Sequence, residues 1–300
     1  MRLSVTDLCN LRCVYCMPEG GTECLGNILD HGEIADIVTA AAACGITKVR
    51  VTGGEPLLRP DIIELCRTIS QTDGIRELCL TTNGSLLKKY AVDLKAAGVH
   101  RLNLSLDALD PETYRKITRN GNLQDTLDGL RAASEAGFDS IKINAVLLGG
   151  VNDDEILRLL DMTRNMHVNV RFIEVMPVGQ SADWGKFISA QKVLELAPEL
   201  CDIGADGVAK LYKLPDGLGT VGLISPISSH FCPTCNKIRV SADGKLKPCL
   251  HTEEEINLRG LGREELMEVI RAAVRQKPAQ HNLCHGEVSQ SRRGMNAIGG

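Results

Sequence analysis

The sequence predicts an α/β protein: a partial six-unit barrel, (β/α)6, with an extension at its C-terminal end. Three observations predict it. Short aliphatic and β-branched runs alternate with longer windows whose apolar residues recur at three and four. Gly45, Gly98 and Gly137 each fall just past such a window, where a left-handed cap needs no Cβ. Beyond about Leu200 the alternation stops. Repeated βα units imply parallel strands with right-handed crossovers, and chemistry at the strands' C-terminal ends.

In order, the strands are read at Leu3–Val5, Lys48–Thr52, Glu77–Thr82, Arg101–Leu106, Ile141–Val146 and Asn169–Val175. The helical windows between them are His31–Ala43, Asp61–Thr72, Ser85–Ala97, Asn122–Ala136 and Asn152–Met166. Pro60-Asp61 and Asn152-Asp153-Asp154 have the chemistry of helix starts. The last third offers short strands or turns at Lys210–Lys213, Val221–Ile224, Ile238–Val240 and Lys245–Lys247, one helix at Arg263–Gln276, and a polar tail. No repeat of solenoid period and no low-complexity linker appears. The expected organisation is a core barrel over 1–205 and an extension packed on it over 206–300.

The chain has 300 residues and a net charge of −4, with 43% hydrophobic residues and 3% aromatics. A mildly acidic chain with few aromatics argues against wrapping or stacking on nucleic acid. No apolar run reaches the length of a membrane span. The start, Met1-Arg2-Leu3-Ser4-Val5-Thr6-Asp7, has no apolar h-region, so a cytoplasmic, reducing compartment is expected. Twelve cysteines there read as buried small hydrophobes or metal ligands rather than disulfides, and spacing separates the two.

Cys9, Cys13 and Cys16 form Cys-x3-Cys-x2-Cys directly after the first strand. Three thiolates in a tight loop favour an iron–sulfur cluster or zinc. A [4Fe–4S] cube held by three thiolates keeps one iron open to a small-molecule ligand. The plainer alternatives are a zinc knuckle or three buried thiols. Cys232, Cys235 and Cys249 make a second set, Cys-x2-Cys-x13-Cys, again without an obvious fourth ligand. Zinc competes more strongly here, with His230, His251 or Cys284 available to complete a tetrahedron. The other six cysteines (Cys24, Cys44, Cys66, Cys79, Cys201, Cys284) fit neither set. Four of them lie on or near element patterns and read as buried.

Tyr15 between the second and third cysteines, with Gly53-Gly54-Glu55-Pro56 ending the second strand, resembles the radical S-adenosylmethionine superfamily. The fold it implies is a partial (β/α)6 TIM-like barrel of that type with a C-terminal iron–sulfur extension. The resemblance narrows to the molybdenum cofactor biosynthesis protein A family, the GTP 3′,8-cyclases, and spans nearly the whole chain. It is carried by Arg2–Asp7, Thr52–Pro56, Thr81-Thr82-Asn83-Gly84, Ser105-Leu106-Asp107, Ile141–Asn144, Gly150–Glu155, Arg171–Pro177, the second cysteine set and the terminal Gly299-Gly300.

That resemblance implies two [4Fe–4S] clusters, one on Cys9, Cys13 and Cys16, the other on Cys232, Cys235 and Cys249. It implies S-adenosylmethionine contacts at Tyr15, Gly54, Ser105 and Met176. It implies GTP contacts at Arg2, Arg50, Thr81, Lys142, Lys237 and Arg239, since a triphosphate needs convergent Arg and Lys donors. Arg239, Gly299 and Gly300 fall where the family completes catalysis, the tail threading into the site. The implied reaction abstracts the ribose 3′ hydrogen of GTP, joins C3′ to guanine C8 and yields 3′,8-cyclo-7,8-dihydro-GTP. The implied partners are an electron donor of flavodoxin or ferredoxin type and a downstream cyclic pyranopterin monophosphate synthase. A homodimer is left open.

Three departures stand out. Arg2 lies almost at the chain start, so it is expected to be poorly held. Lys237 fills a slot the family often gives to Arg and lacks the bidentate fork. Leu8 stands where Arg is common. Two other classes are carried alongside: a two-cluster radical enzyme acting on a peptide, and a non-enzymatic zinc or iron–sulfur module.

Overall fold

Six βα units run in sequence in the computed structural model, which describes residues 1–20, 25–178, 187–229, 231–280, 289, 291 and 293–299. Strands β1 (Arg2–Ser4), β2 (Lys48–Thr52), β3 (Glu77–Thr82), β4 (Arg101–Ser105), β5 (Ser140–Leu147) and β6 (Val168–Glu174) lie side by side, each parallel to the next. The crossovers carry α1 (His31–Ala43), α2 (Ile62–Gln71), α3 (Leu87–Ala96), α4 (Pro111–Thr118), α5 (Leu123–Glu135) and α6 (Glu155–Asn165). Strand residues such as Val49, Val51, Leu78, Leu80 and Leu102 are fully buried, as parallel strands covered by helices require.

The later third of the chain joins both edges of this core. After α7 (Gln191–Leu196) come β7 (Cys201–Asp206), β8 (Ala209–Lys213) and β9 (Thr220–Ile224). β9 pairs parallel with β6, and β8 and β7 follow antiparallel. On the other side β10 (Arg239–Val240) pairs parallel with β1, and β11 (Lys245–Lys247) and β12 (Ile256–Asn257) continue antiparallel. The result is one sheet of twelve strands, a partial TIM-like barrel whose margins are β12 and β7. Helix α8 (Arg263–Arg275) packs Leu266, Ile270 and Ala273 into the same core as Ile34 and Ile37 of α1.

The six strands and five helices read from sequence are present, with no end moved by more than three residues. Gly45, Gly98 and Gly137 take φ of 88°, 89° and 70°, as left-handed caps do. α4, α7, β7, β12 and the short α9 (Met295–Ile298) were not anticipated. Every residue of β7 is exposed, so no apolar period marks it. Arg2 is also a correction. It is held in the sheet, with its N–H on Ile238 O at 2.9 Å and Arg50 and Arg239 as register neighbours. β2 and β10 grip it from either side, and the Met1 amine donates to Lys48 O at 2.7 Å. Cys66 and Cys79 are buried and Cys44 half-buried, whereas Cys201 on β7 is exposed. Cys24, Cys284, His230 and Gly300 lie outside the described residues. Among those described, no helix is long and apolar enough to cross a membrane.

Candidate active site

The first cysteine loop leaves the C-terminal end of β1 and folds back on α4. Arg12 N–H donates to Thr118 O at 3.1 Å and Val14 N–H to Ile117 O at 2.9 Å. The Arg119 guanidinium donates to the carbonyls of Arg12 and Met17, at 3.1 and 3.0 Å, bracketing the loop. Arg119 reaches them from φ 65°, the one non-glycine in the left-handed region among the described residues. Such a conformation costs about 1–2 kcal/mol and persists where the surroundings impose it.

Burial pushes the Cys9 and Cys13 thiols up and the Cys16 thiol up to about 12. As thiolates these groups need a cationic centre beside them, and a metal cluster is one. Among the described residues no three His, Cys, Asp or Glu are placed to hold a single metal ion. Three cysteine sulfurs from one loop, all lining one cavity, are the kind of donor set a four-iron cube takes.

Above this loop sits the turn after β2. Gly54 N–H donates to Thr6 O at 2.8 Å and Glu55 N–H to Leu8 O at 2.7 Å. A Cβ on Gly54 would fall 2.2 Å from Leu8 O, so only glycine permits this approach to the chain entering Cys9. Glu55, fully buried, accepts from Leu57 N–H, Thr82 Oγ1 and Asn83 N–H at 3.1, 2.8 and 2.7 Å. Burial raises its pKa to about 7 against the pull of those three donors. Tyr15 OH donates to Asp107 Oδ2 at 2.8 Å, and Asp107 Oδ1 accepts Val146 N–H at 2.8 Å. Burial lifts the Asp107 carboxyl to about 6. Tyr15, Gly54, Ser105 and Met176 all line one cavity at the strands' C-terminal ends.

Cys232, Cys235 and Cys249 line the same cavity as Cys9, Cys13 and Cys16. Cys232 begins a single 3-10 turn, and Cys249 follows β11. Lys277 Nζ donates to Lys237 O at 2.6 Å and Pro248 O at 2.9 Å, joining the two stretches that carry Cys235 and Cys249. Burial works against ionising Cys235, but the Lys237 N–H and the Lys237 and Lys277 charges outweigh it and lower its pKa. His251 is buried, with Nδ1 on Ser289 Oγ at 3.1 Å, so that ring nitrogen is already engaged.

Between the two triads the inner face is basic. Arg2, Thr81, Lys237 and Arg239 line the cavity. Arg50 and Lys142 do not; they stand two residues deeper on the faces that present Thr52 and Asn144. Burial lowers Arg239 to about 10 and, with Arg2, Arg239 and Arg50 nearby, Lys237 to about 8. Lys237 Nζ lies 5.7 Å from the Phe231 ring centroid, a cation–π contact. Thr81 Oγ1 and Asn144 Oδ1 are buried in the cavity wall without a hydrogen-bond partner. Arg239 Nη1 donates to Gly299 O, which brings the chain's tail to the cavity. Gly299 has φ 75°, and a Cβ there would meet Thr52 Cγ2 at 2.5 Å. Sequence reasoning quoted Arg171, Asn83 and Asn144 only within motifs, without a site role, and passed over Lys277. For Arg171 a signal existed, since an Arg in the middle of a strand read as buried needs an anionic partner.

The fold and the paired cysteine sets define a radical S-adenosylmethionine protein. The Radical SAM superfamily model matches residues 3–163, and the Molybdenum Cofactor Synthesis C model matches 168–283. The structure resembles Streptococcus suis SuiB bound to S-adenosylmethionine, with TM-score 0.65, 17% identity, 90% of this chain and 67% of that one. It also resembles native anSMEcpe with bound AdoMet, with TM-score 0.62, 15% identity, and 89% and 80% coverage. The GTP 3′,8-cyclase of Alkaliphilus oremlandii (strain OhILAs) is 47% identical over 310 residues, covering 100% of this chain and 97% of the relative. That of Alkaliphilus metalliredigens (strain QYMF) is 46% identical over 309 residues with the same coverage. The chain belongs to the GTP 3′,8-cyclase family of the radical S-adenosylmethionine superfamily.

Proposed function

We infer that the chain is a GTP 3′,8-cyclase, a lyase that converts GTP to (8S)-3′,8-cyclo-7,8-dihydroguanosine 5′-triphosphate in molybdenum cofactor biosynthesis. The observation that carries this is the arrangement of two three-cysteine sets around one cavity with a basic wall between them. Its cofactors are two [4Fe–4S] clusters and S-adenosylmethionine, which when bound supply the organic radical that removes the ribose hydrogen.

The chain's own residues do the rest. Cys9, Cys13 and Cys16 hold one cluster; Cys232, Cys235 and Cys249 hold the other. Tyr15, Gly54, Ser105 and Met176 take S-adenosylmethionine. Arg2, Thr81, Lys237 and Arg239 take GTP from the cavity wall and Arg50 and Lys142 from two residues deeper, with the unpartnered Thr81 Oγ1 free to bond it. Arg239, Gly299 and Gly300 act at the reacting ribose and purine, supported by the Arg239–Gly299 hydrogen bond. Enclosure of the cavity excludes water from a reactive intermediate and holds the reacting atoms in register. A core over 1–205 with a cluster-binding region over 206–300, a cytoplasmic location, a flavodoxin- or ferredoxin-type reductant, a cyclic pyranopterin monophosphate synthase downstream and a homodimer complete this reading.

The test is an anaerobic assay with dithionite, S-adenosylmethionine and GTP, scoring 5′-deoxyadenosine and the cyclised nucleotide separately. Cys9→Ala is expected to stop both products. Cys249→Ala is expected to stop cyclisation and leave some uncoupled cofactor cleavage. About eight irons per chain after reconstitution is expected from two four-iron cubes. A reconstituted protein that forms neither product rejects the assignment.

A further inference from the structure

At the turn that ends β7, a half-exposed aspartate faces two buried cations carried by β5 and β6. β7 ends at Asp206 and turns through Gly207-Val208 into β8. Asp206 Oδ2 receives Lys142 Nζ and, at 2.6 Å, Arg171 Nη2 on the same oxygen. The two cations are only 8% and 9% exposed, whereas Asp206 is 47% exposed. Burial and the neighbouring Arg50 lower the pKa of both cations. Buried like charges without a partner are costly, so this cluster needs an anion whether or not substrate is present.

We propose that Asp206 is an internal counter-ion, a stand-in for a substrate phosphate, displaced when the nucleotide's phosphate chain reaches Lys142 and Arg171. This rests on reading the cavity as a nucleotide site. One carboxylate oxygen shared by two cations presents the charge a phosphate oxygen would. Asp206 is also on a lightly covered part of the sheet. It closes a margin strand that is exposed throughout and paired only with β8. Gly207, at φ 64°, makes the turn, and Val208 beside it lines the cavity. The Lys142 and Arg171 charges hold the Asp206 carboxyl at about 2 despite its partial burial, so its release needs no proton near neutral pH. Only a ligand with several negative charges replaces what the two cations lose; the nucleoside alone does not. Asp206 is therefore a positioning residue that sets selectivity for phosphorylated ligand.

The test is calorimetric binding of inorganic tripolyphosphate, GTP and guanosine to the cluster-loaded full chain, wild type against Asp206→Asn and Asp206→Glu. Asp206→Asn is expected to bind tripolyphosphate and GTP about tenfold more tightly, the equivalent of one competing ion pair at about 1.4 kcal/mol. Guanosine binding should not change, Asp206→Glu should return the wild-type values, and the KM for GTP should fall with kcat retained. Equal or weaker tripolyphosphate binding by Asp206→Asn overturns the proposal, as does equal tightening of guanosine. A tripolyphosphate response without turnover of GTP by the wild type keeps the counter-ion and removes the cyclase reading instead.

Discussion

Asp107 ties the Tyr15 hydroxyl to the β5 backbone, and its carboxyl titrates near 6 rather than at the usual 3.8. Between about pH 4 and 6 the folded chain keeps a proton that the unfolded chain has released. Stability from this group is therefore full below the ordinary carboxyl pKa and is lost as pH rises through 6, by up to about 3 kcal/mol for two pH units. Asp107→Asn can keep both contacts and cannot titrate. Anaerobic urea midpoints from pH 4.5 to 7 are expected to fall less steeply in the variant, with the remaining slope coming from Glu55. Identical slopes would remove Asp107 from this role. At this scale the sequence was legible where spacing is chemistry, as with Cys9, Cys13 and Cys16. Asp206 was not legible, because Lys142 and Arg171 come to it from two other strands and nothing local to Asp206 records them.

Helix α1 is fastened at its start by a capping box. Glu33 N–H donates to Asp30 Oδ1 at 2.8 Å, and Asp30 N–H donates to Glu33 Oε2 at 2.9 Å. Arg259 forks onto the same Glu33 carboxylate through Nε and Nη2, both at 2.9 Å, drawing the segment before α8 to α1. Glu33→Ala removes one half of the box and the fork together. Because the site is partly exposed, a loss of about 1 kcal/mol is expected in urea unfolding, and about half of that for Glu33→Gln. The boundaries of α1 were readable from its apolar period and the glycine that follows it, and the Asp30 cap agrees with them. α4 escaped although Asp110-Pro111 carries a start signal, with Asp110 Oδ2 accepting Thr113 N–H at 2.8 Å. Its eight residues offer too little period to separate it from α5.

At the scale of the molecule, β1 and β6 are the edges of the six-unit core, and both are covered by strands from the later third. Cutting the chain after Ala205 would bare two rows of unpaired backbone donors and acceptors. Such a fragment is expected to elute as aggregate in size-exclusion chromatography, while the full chain does not. A monomeric, folded fragment would show that the edges need no cover. The alternation of elements made the six parallel strands legible. The placement of β9 and β10 was not, since pairing across the length of a chain leaves no local pattern.

That arrangement also constrains how the protein is made. β1 is made before its second neighbour, β10, which follows all of β2 to β9 in the chain. Throughout synthesis Arg2 and its strand wait half-paired, and the cysteine loop that follows them has no finished wall opposite it. The wall that faces the first cysteine loop is therefore complete only once β10 and the second cysteine set have been made.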